Sequence, residues 1–413
     1  MRFHATAHKR AEESRNFAGG LGLSPEMIVR DRSLLDGTQL MKIAQISPLV
    51  ESVPPRLYGG TERVVSYLTE ELVALGHDVT LFASGDSITS ANIVPCSNRA
   101  LRLDAKGHDP IPYYLVMLDK VMAQAAEFDV LHFHIDHLHF PLLRQLDNAV
   151  VTTLHGRQDL PVAPPFYAHF RDLPVISISR AQRGPIADAN FVGTVHHGLP
   201  IDLYYPSFAP RGGYLAFLGR ISPEKDPIQA IKIAHALNMR LKIAAKVDRV
   251  DEDYFREKVE PLLDTPGVEY IGEVGEKEKG DFLRDAAALL FPICWPEPFG
   301  LVMIEAMACG TPILAYDYGS VREVIDEGVT GNVVRSLDEA IATLPKVLQL
   351  DRGEVRRRFE KRFSARRMGE DYVRIYQMLL RRSRTRPSSR SIVDEVTRVN
   401  GDKYLSDVGL HVD

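Results

Sequence analysis

The chain has 413 residues, 45% hydrophobic and 25% charged, with 29 Gly and 26 Pro. At roughly 100–200 residues per domain this predicts two domains, and the apolar share excludes a wholly disordered chain. Fifty Lys and Arg against 55 Asp and Glu leave a formal net charge of -5, which argues against a nucleic-acid partner.

Residues 1–40 mix charges with small residues and have no apolar run of signal-peptide type. A loosely ordered extension, or an upstream start, is expected there. A regular pattern begins at Met41-Lys42-Ile43-Ala44-Gln45-Ile46. Strands are predicted at 41–47, 78–84, 129–134, 149–154, 174–179 and 194–197. Helical runs lie between them, as at 61–75, where Val64, Val65, Leu68, Leu72 and Leu75 recur at helical spacing. Such alternation predicts a parallel sheet wrapped by helices. The stretch from Pro206 to Gly213 reads as a linker. Strands then resume near 214–219, 241–247, 268–272, 288–293, 312–316 and 331–334, with helices at 226–237, 251–263, 276–285 and 301–309. The expected fold class is α/β, with two doubly wound Rossmann-like domains, 41–205 and 206–382, facing a cleft that holds the ligand. From Arg352 the chain is helical and basic; a solvated helix surface is expected, with contact to an anionic membrane as the sharper alternative. A flexible tail is predicted at 383–413. The longest apolar run, Ala286 to Trp295, is ten residues, too short to span a bilayer. Cys96, Cys294 and Cys309 form no C-x-x-C pair, which fits a reducing cytoplasm.

Three clusters could carry chemistry. In Pro296-Glu297-Pro298-Phe299-Gly300-Leu301 a strand ends, Pro and Gly turn the chain, and a helix begins. Free backbone N–H groups at such a helix start form an anion site, and Gly300 lets a phosphate approach the backbone. Glu305, inside that helix, can accept two hydrogen bonds from a vicinal diol such as a ribose, and Glu297 can face a sugar. In Gly219-Arg220-Ile221-Ser222-Pro223-Glu224-Lys225-Asp226 a second strand ends before a helix. Arg220 and Lys225 could converge there on a diphosphate, and Asp226 with Pro227 reads as an N-cap. Gly59 and Gly60 precede the first helix, where a phosphate could also approach, although no G-x-G-x-x-G is present.

With these residues in view, the chain resembles the retaining glycosyltransferases of family four, which have the GT-B fold, over about residues 41–380. The E-x7-E motif, Glu297 to Glu305 in EPFGLVMIE, is the most specific element. The resemblance implies Glu297 beside the donor sugar and Glu305 on the ribose. It implies a phosphate on the backbone at Phe299, Gly300 and Leu301, and Arg220 with Lys225 as the diphosphate clamp. It further implies Gly59 and Gly60 beside donor and acceptor, and His155 of TTLHG next to the sugar. The activity implied is transfer of a hexose from a nucleotide-diphosphate sugar, with a UDP-sugar favoured. The acceptor is a hydroxyl of a glycan, lipid or small molecule met by loops 48–60, 84–115 and 156–172. No metal or further cofactor is implied. The expected location is cytoplasmic, with peripheral contact at the inner membrane face as the alternative. Two departures stand out. His197 of HHGLPID replaces the family's usual Asn and receives no role, and Ala244-Ala245-Lys246-Val247 replaces a Gly-x-Gly turn, where Lys246 could add charge. Asp317 and Ser320-Val321 are expected to support the site only.

Other readings compete. His132-Phe133-His134-Ile135-Asp136-His137 has the spacing of a zinc hydrolase motif, but the parallel α/β rhythm disagrees with that fold. Asp251-Glu252-Asp253 contains a D-x-D, yet it opens a helix whose dipole it would complement. A nucleotide-sugar epimerase of the same fold and a non-catalytic sugar-nucleotide binder remain as alternatives.

Overall fold

The computed structural model describes residues 39–56, 59–103, 109–210 and 212–384. The segments read as an extension and a flexible tail lie outside these residues, apart from 39–40 and 383–384.

The first sheet has seven parallel strands: β1 (Lys42–Ile46), β2 (Asp78–Ser84), β3 (Asn92–Ser97), β4 (Val130–Phe133), β5 (Ala149–Leu154), β6 (Pro174–Ser177) and β7 (Asn190–Thr194), in the order β3-β2-β1-β4-β5-β6-β7. The second has six: β8 (Tyr214–Ile221), β9 (Arg240–Val247), β10 (Val268–Gly272), β11 (Ala288–Phe291), β12 (Ile313–Tyr316) and β13 (Gly331–Val334), in the order β10-β9-β8-β11-β12-β13. Each sheet is wound outward from a central pair, β1/β4 in one and β8/β11 in the other. Open α/β sheets leave a crevice where the winding reverses. The central strands are buried on both faces, so β5 (AVVTTL) and β11 (ALLF) read as unbroken runs.

Helices α1 (Gly60–Ala74), α2 (Ile111–Gln124), α3 (Pro227–Ala236), α4 (Glu276–Asp285), α5 (Leu301–Ala308), α6 (Leu337–Val347), α7 (Arg352–Arg362) and α8 (Ala365–Arg384) cover the sheets. Asp226 accepts from the Gln229 N–H at 3.2 Å with Pro227 behind it, so α3 carries the expected cap. Four expectations are corrected. Strand β3 was not predicted, because Pro95 interrupts its pattern; β3 lies at the sheet edge, where a missing donor is tolerated. The strand expected at 194–197 forms at 190–194, where Gly193 and polar residues hide the apolar run. The helix expected at 251–263 breaks into one-turn pieces, with a π turn over Phe255–Val259 ahead of Pro261, whose ring and missing N–H disrupt a regular helix.

The fourth correction concerns the basic tail, which is not simply a solvated helix surface. Arg352 and Arg356 are buried. Arg352 donates to the carbonyls of Ala286 (2.9 Å) and Arg284 (2.8 Å), and Arg356 to those of Tyr204 (2.9 Å) and Ala308 (2.6 Å). Both tie the connection between the halves to the second half. Helix α8 then returns to the first half. Its Tyr372 and Tyr376 are fully buried and hydrogen-bond Thr153 and Gln45 of the first sheet.

Candidate active site

The carboxyl ends of both sheets open on one cavity of about 500 Å³. Its anion-binding wall is the start of α5. Gly300 has φ 78°, and a Cβ there would stand 2.8 Å from Met303 Cε and 3.2 Å from Phe291 Cζ. No side chain caps α5, so its positive end is free to meet a ligand. The turn before it is held from behind. Ser320 donates its N–H to Glu297 O (3.0 Å) and its Oγ to Phe299 O (2.9 Å). Gly319, at φ 57°, lies so close to the Glu297 backbone that any Cβ would collide with it. Ser320 thus takes the supporting place expected of it, while Asp317 pairs with Arg322 and Arg335. Phe299 is buried edge-on against His197, with centroids 4.9 Å apart.

Glu297 and Glu305 both line the cavity and are nearly buried. Glu297 pairs with Lys225 Nζ, and Glu305 accepts from Lys279 Nζ at 2.8 Å. Lys225 Nζ also lies 5.0 Å from the Trp295 ring centroid. Arg220 stands 3.4 Å from both Asp248 and Glu224 and 3.6 Å from Asp251. Asp251 thus also faces a cation of the site, while Glu252 and Asp253 stand in the first helical turn, where the dipole reading put them. Burial pushes the Asp248 carboxyl up, but hydrogen bonds and charge from Lys246 and Arg220 outweigh it and hold it below the usual range. Arg220 and Lys225 border the same cavity without touching a common partner. A diphosphate there would compete with their carboxylates, as expected of a site that balances charge in a low-dielectric cleft.

From the first half come Gly59, Gly60 and His155. Gly59 has φ 151°, and a Cβ there would lie 2.8 Å from Pro55 Cβ; a Cβ on Gly60 would meet Leu301 Cδ1 at 3.6 Å, across the cleft. His155 follows β5. Burial pushes its imidazole down to about 3, so it is neutral. It stacks on His197 at 5.4 Å and 15°.

The family-level comparisons agree with this architecture. A family described as "Glycosyl transferases group 1" matches residues 208–365, and "Glycosyltransferase Family 4" matches residues 58–223. The chain belongs to the family-four glycosyltransferases. A phosphatidyl-myo-inositol mannosyltransferase of Mycobacterium leprae is 25% identical over 350 residues, 77% of this chain and 90% of that one. An alpha-maltose-1-phosphate synthase of Mycobacterium tuberculosis is 27% identical over 187 residues, 39% of this chain; the match spans 48% of that relative, about half its length. Among solved structures, AviGT4, a glycosyltransferase involved in avilamycin A biosynthesis, superposes with a TM-score of 0.65 at 27% identity, covering 82% of this chain and 98% of that one.

Several residues of the cavity escape sequence reading. Lys279 sits in the Lys/Glu-rich helix α4, where nothing separates it from solvated neighbours. Arg63 of α1 lines the cavity and pairs with Glu276 of α4, joining the halves. Glu62 is buried beside it, and burial raises its carboxyl pKa. A Glu-Arg pair in the first turn, one residue after Gly-Gly and just before the apolar Val64-Val65, was the available signal. His197, given no role from sequence, lines the cavity. Lys246 does add charge there, paired with Asp248 at 2.8 Å. The zinc-like stretch is built differently: His132 bonds Tyr376 and Thr153, His134 bonds Gln45 and His155, and His137 packs edge-on against Phe166. Among the described residues no group of three or more His, Cys, Asp or Glu is arranged to hold a metal.

Proposed function

We propose that the chain transfers a hexose from a nucleotide-diphosphate sugar, with a UDP-sugar favoured, to a hydroxyl acceptor, retaining the anomeric configuration and using no metal. One observation carries the reading: Arg220, Lys225, the uncapped start of α5, Glu297, Glu305 and His155 border a single cavity. As the sugar leaves, its C1–O bond to the diphosphate breaks and negative charge gathers on the phosphate. Arg220, Lys225 and the α5 N–H groups stabilise that charge in a water-poor cleft. The acceptor oxygen bonds to C1 on the face the phosphate vacates, and its proton passes to the departing phosphate oxygen. No protein nucleophile takes part. Glu305 serves the ribose, Glu297 and His155 the sugar.

The relative named as a phosphatidyl-myo-inositol mannosyltransferase supports testing a lipid-borne hydroxyl among the acceptors, and with it peripheral contact at the inner membrane face. No helix among the described residues is long and apolar enough to cross a membrane.

A panel of nucleotide sugars screened for thermal stabilisation identifies the donor, since a ligand that binds only the folded chain raises its stability. With that donor the product anomer should match the donor anomer, and transfer should continue in excess chelator. An inverted product, or loss of activity in chelator restored by magnesium, overturns the mechanism. Release of an epimerised nucleotide sugar without transfer would replace it with the epimerase reading.

A further inference from the structure

The alternation of a strand places Gln45 of β1, His132 and His134 on and just after β4, and Thr153 and His155 on and just after β5 along one face of the first sheet, since Gln45 is in register with His132. Helix α8 covers that face. The hydrogen bonds across it have a fixed direction. Gln45 Nε2 donates to the Tyr376 hydroxyl at 3.2 Å. The other end of the amide, Oε1, lies 2.7 Å from His134 Nε2. An amide oxygen only accepts, so His134 carries its proton on Nε2. Its ring is held neutral, because burial and then the neighbouring imidazoles push its pKa well below the ordinary value. Its Nδ1 is therefore bare and accepts from His155 Nε2, 2.9 Å away. That leaves His155 with a bare Nδ1, buried and without a partner within the protein, in a ring that lines the cavity.

We propose that Gln45, oriented by Tyr376 of the returning C-terminal helix, is a positioning residue that fixes the His134–His155 pair in one tautomer, so that His155 offers the donor sugar a hydrogen-bond acceptor at Nδ1. A sugar hydroxyl reaching His155 must then donate, and its oxygen keeps its lone pairs for other partners. Helix α8 thereby sets the polarity of a group beside the reacting sugar. The catalytic half of this proposal rests on the transferase reading; the tautomer half does not.

Substituting Gln45 by Met keeps the volume but removes the oxygen. Either tautomer of the pair then leaves one orphaned donor, at His134 Nε2 or at His155 Nδ1, so the bias is lost and both forms should be populated. Nitrogen-15 spectra of imidazole-labelled full-length protein read this directly. The wild type should show a pyridine-type Nδ1 and a pyrrole-type Nε2 at His155, and Gln45→Met a mixture of both types at each nitrogen. Tyr376→Phe, which keeps the packing, should show both forms. Turnover in Gln45→Met should fall about twofold, as the competent tautomer drops to about half of the population, with nucleoside diphosphate affinity unchanged. A pyrrole-type Nδ1 in the wild type, or shifts unmoved by either substitution, overturns the proposal. If the tautomers behave as stated but no donor sugar is transferred by the wild type, the transferase reading fails and the tautomer assignment stands.

Discussion

Glu297 and Glu305 face the same cavity from opposite ends of a short stretch, one in the turn before α5 and one inside it, and each holds a different lysine. Their proposed duties differ accordingly. A carboxylate on the ribose contributes equally before and during reaction, whereas one beside the sugar contributes mainly as C1 becomes cationic. Glu305→Ala should therefore weaken nucleoside diphosphate binding by roughly 1–3 kcal/mol. Glu297→Ala should bind it nearly as the wild type does but turn over more slowly, since interactions made only in the transition state appear in kcat. Calorimetry with the nucleoside diphosphate, beside single-turnover transfer, separates the two. Wild-type behaviour in both variants would remove these acids from the site. The motif was legible in sequence because a strand end, Pro, Gly and two acids coincide. Their lysine partners were not: Lys225 and Lys279 are 72 and 26 residues away from the acids they meet.

Two elements carry unusual buried polarity. On the first sheet, His132, His134, His139, His155 and His197 are all driven by burial below the ordinary imidazole value, His139 and His155 to about 3. The unfolded chain binds protons at these rings near pH 6.5, while the folded chain refuses them until far lower pH. Stability from these groups is thus complete above pH 6.5 and declines as pH falls toward 3. The slope is about 1.4 kcal/mol per pH unit for each proton that only the unfolded chain binds. Urea midpoints measured from pH 8 to pH 5 should drop steeply below 6.5; a flat profile would mean that the rings are protonated inside the fold. On α7, Arg352 is lowered by burial to about 10 and serves three backbone carbonyls and Thr311. Arg352→Met leaves those acceptors unpaired and should cost about 2–3 kcal/mol in urea unfolding without changing donor affinity. The sequence showed only a basic helix here. A run of arginines looks alike whether its heads meet water or carbonyls, because the deciding partners lie some 40 to 145 residues away.

At the scale of the molecule, the halves are joined by the return of α7 and α8 onto the first half and by polar contacts along the cleft. Glu323 of the second half accepts from the backbone N–H groups of Arg180 (2.8 Å) and Ala181 (2.7 Å) in the first, and Arg63 pairs with Glu276. Contacts of this polar kind along the cleft can break and re-form as it opens and closes around a ligand. Glu323→Ala should enlarge the radius of gyration seen by X-ray scattering, and nucleoside diphosphate should reverse the change by bridging the halves. An unchanged radius would show that apolar packing and α8 alone hold the cleft.

Sequence by itself determined the class of architecture, the positions of most strands along the chain, and the turn from Glu297 to Gly300 with the helix after it. These depend on local periodicity and on Gly and Pro chemistry, which neighbours in the chain specify. Only the tertiary structure decided which cations neutralise which acids, that Arg352 and Arg356 are buried, and that Gln45 and Tyr376 are linked to His155. Those pairings join residues that share no local pattern. They exist because two parallel sheets bring their carboxyl ends to one cleft, and because the last helix returns across the face of the first.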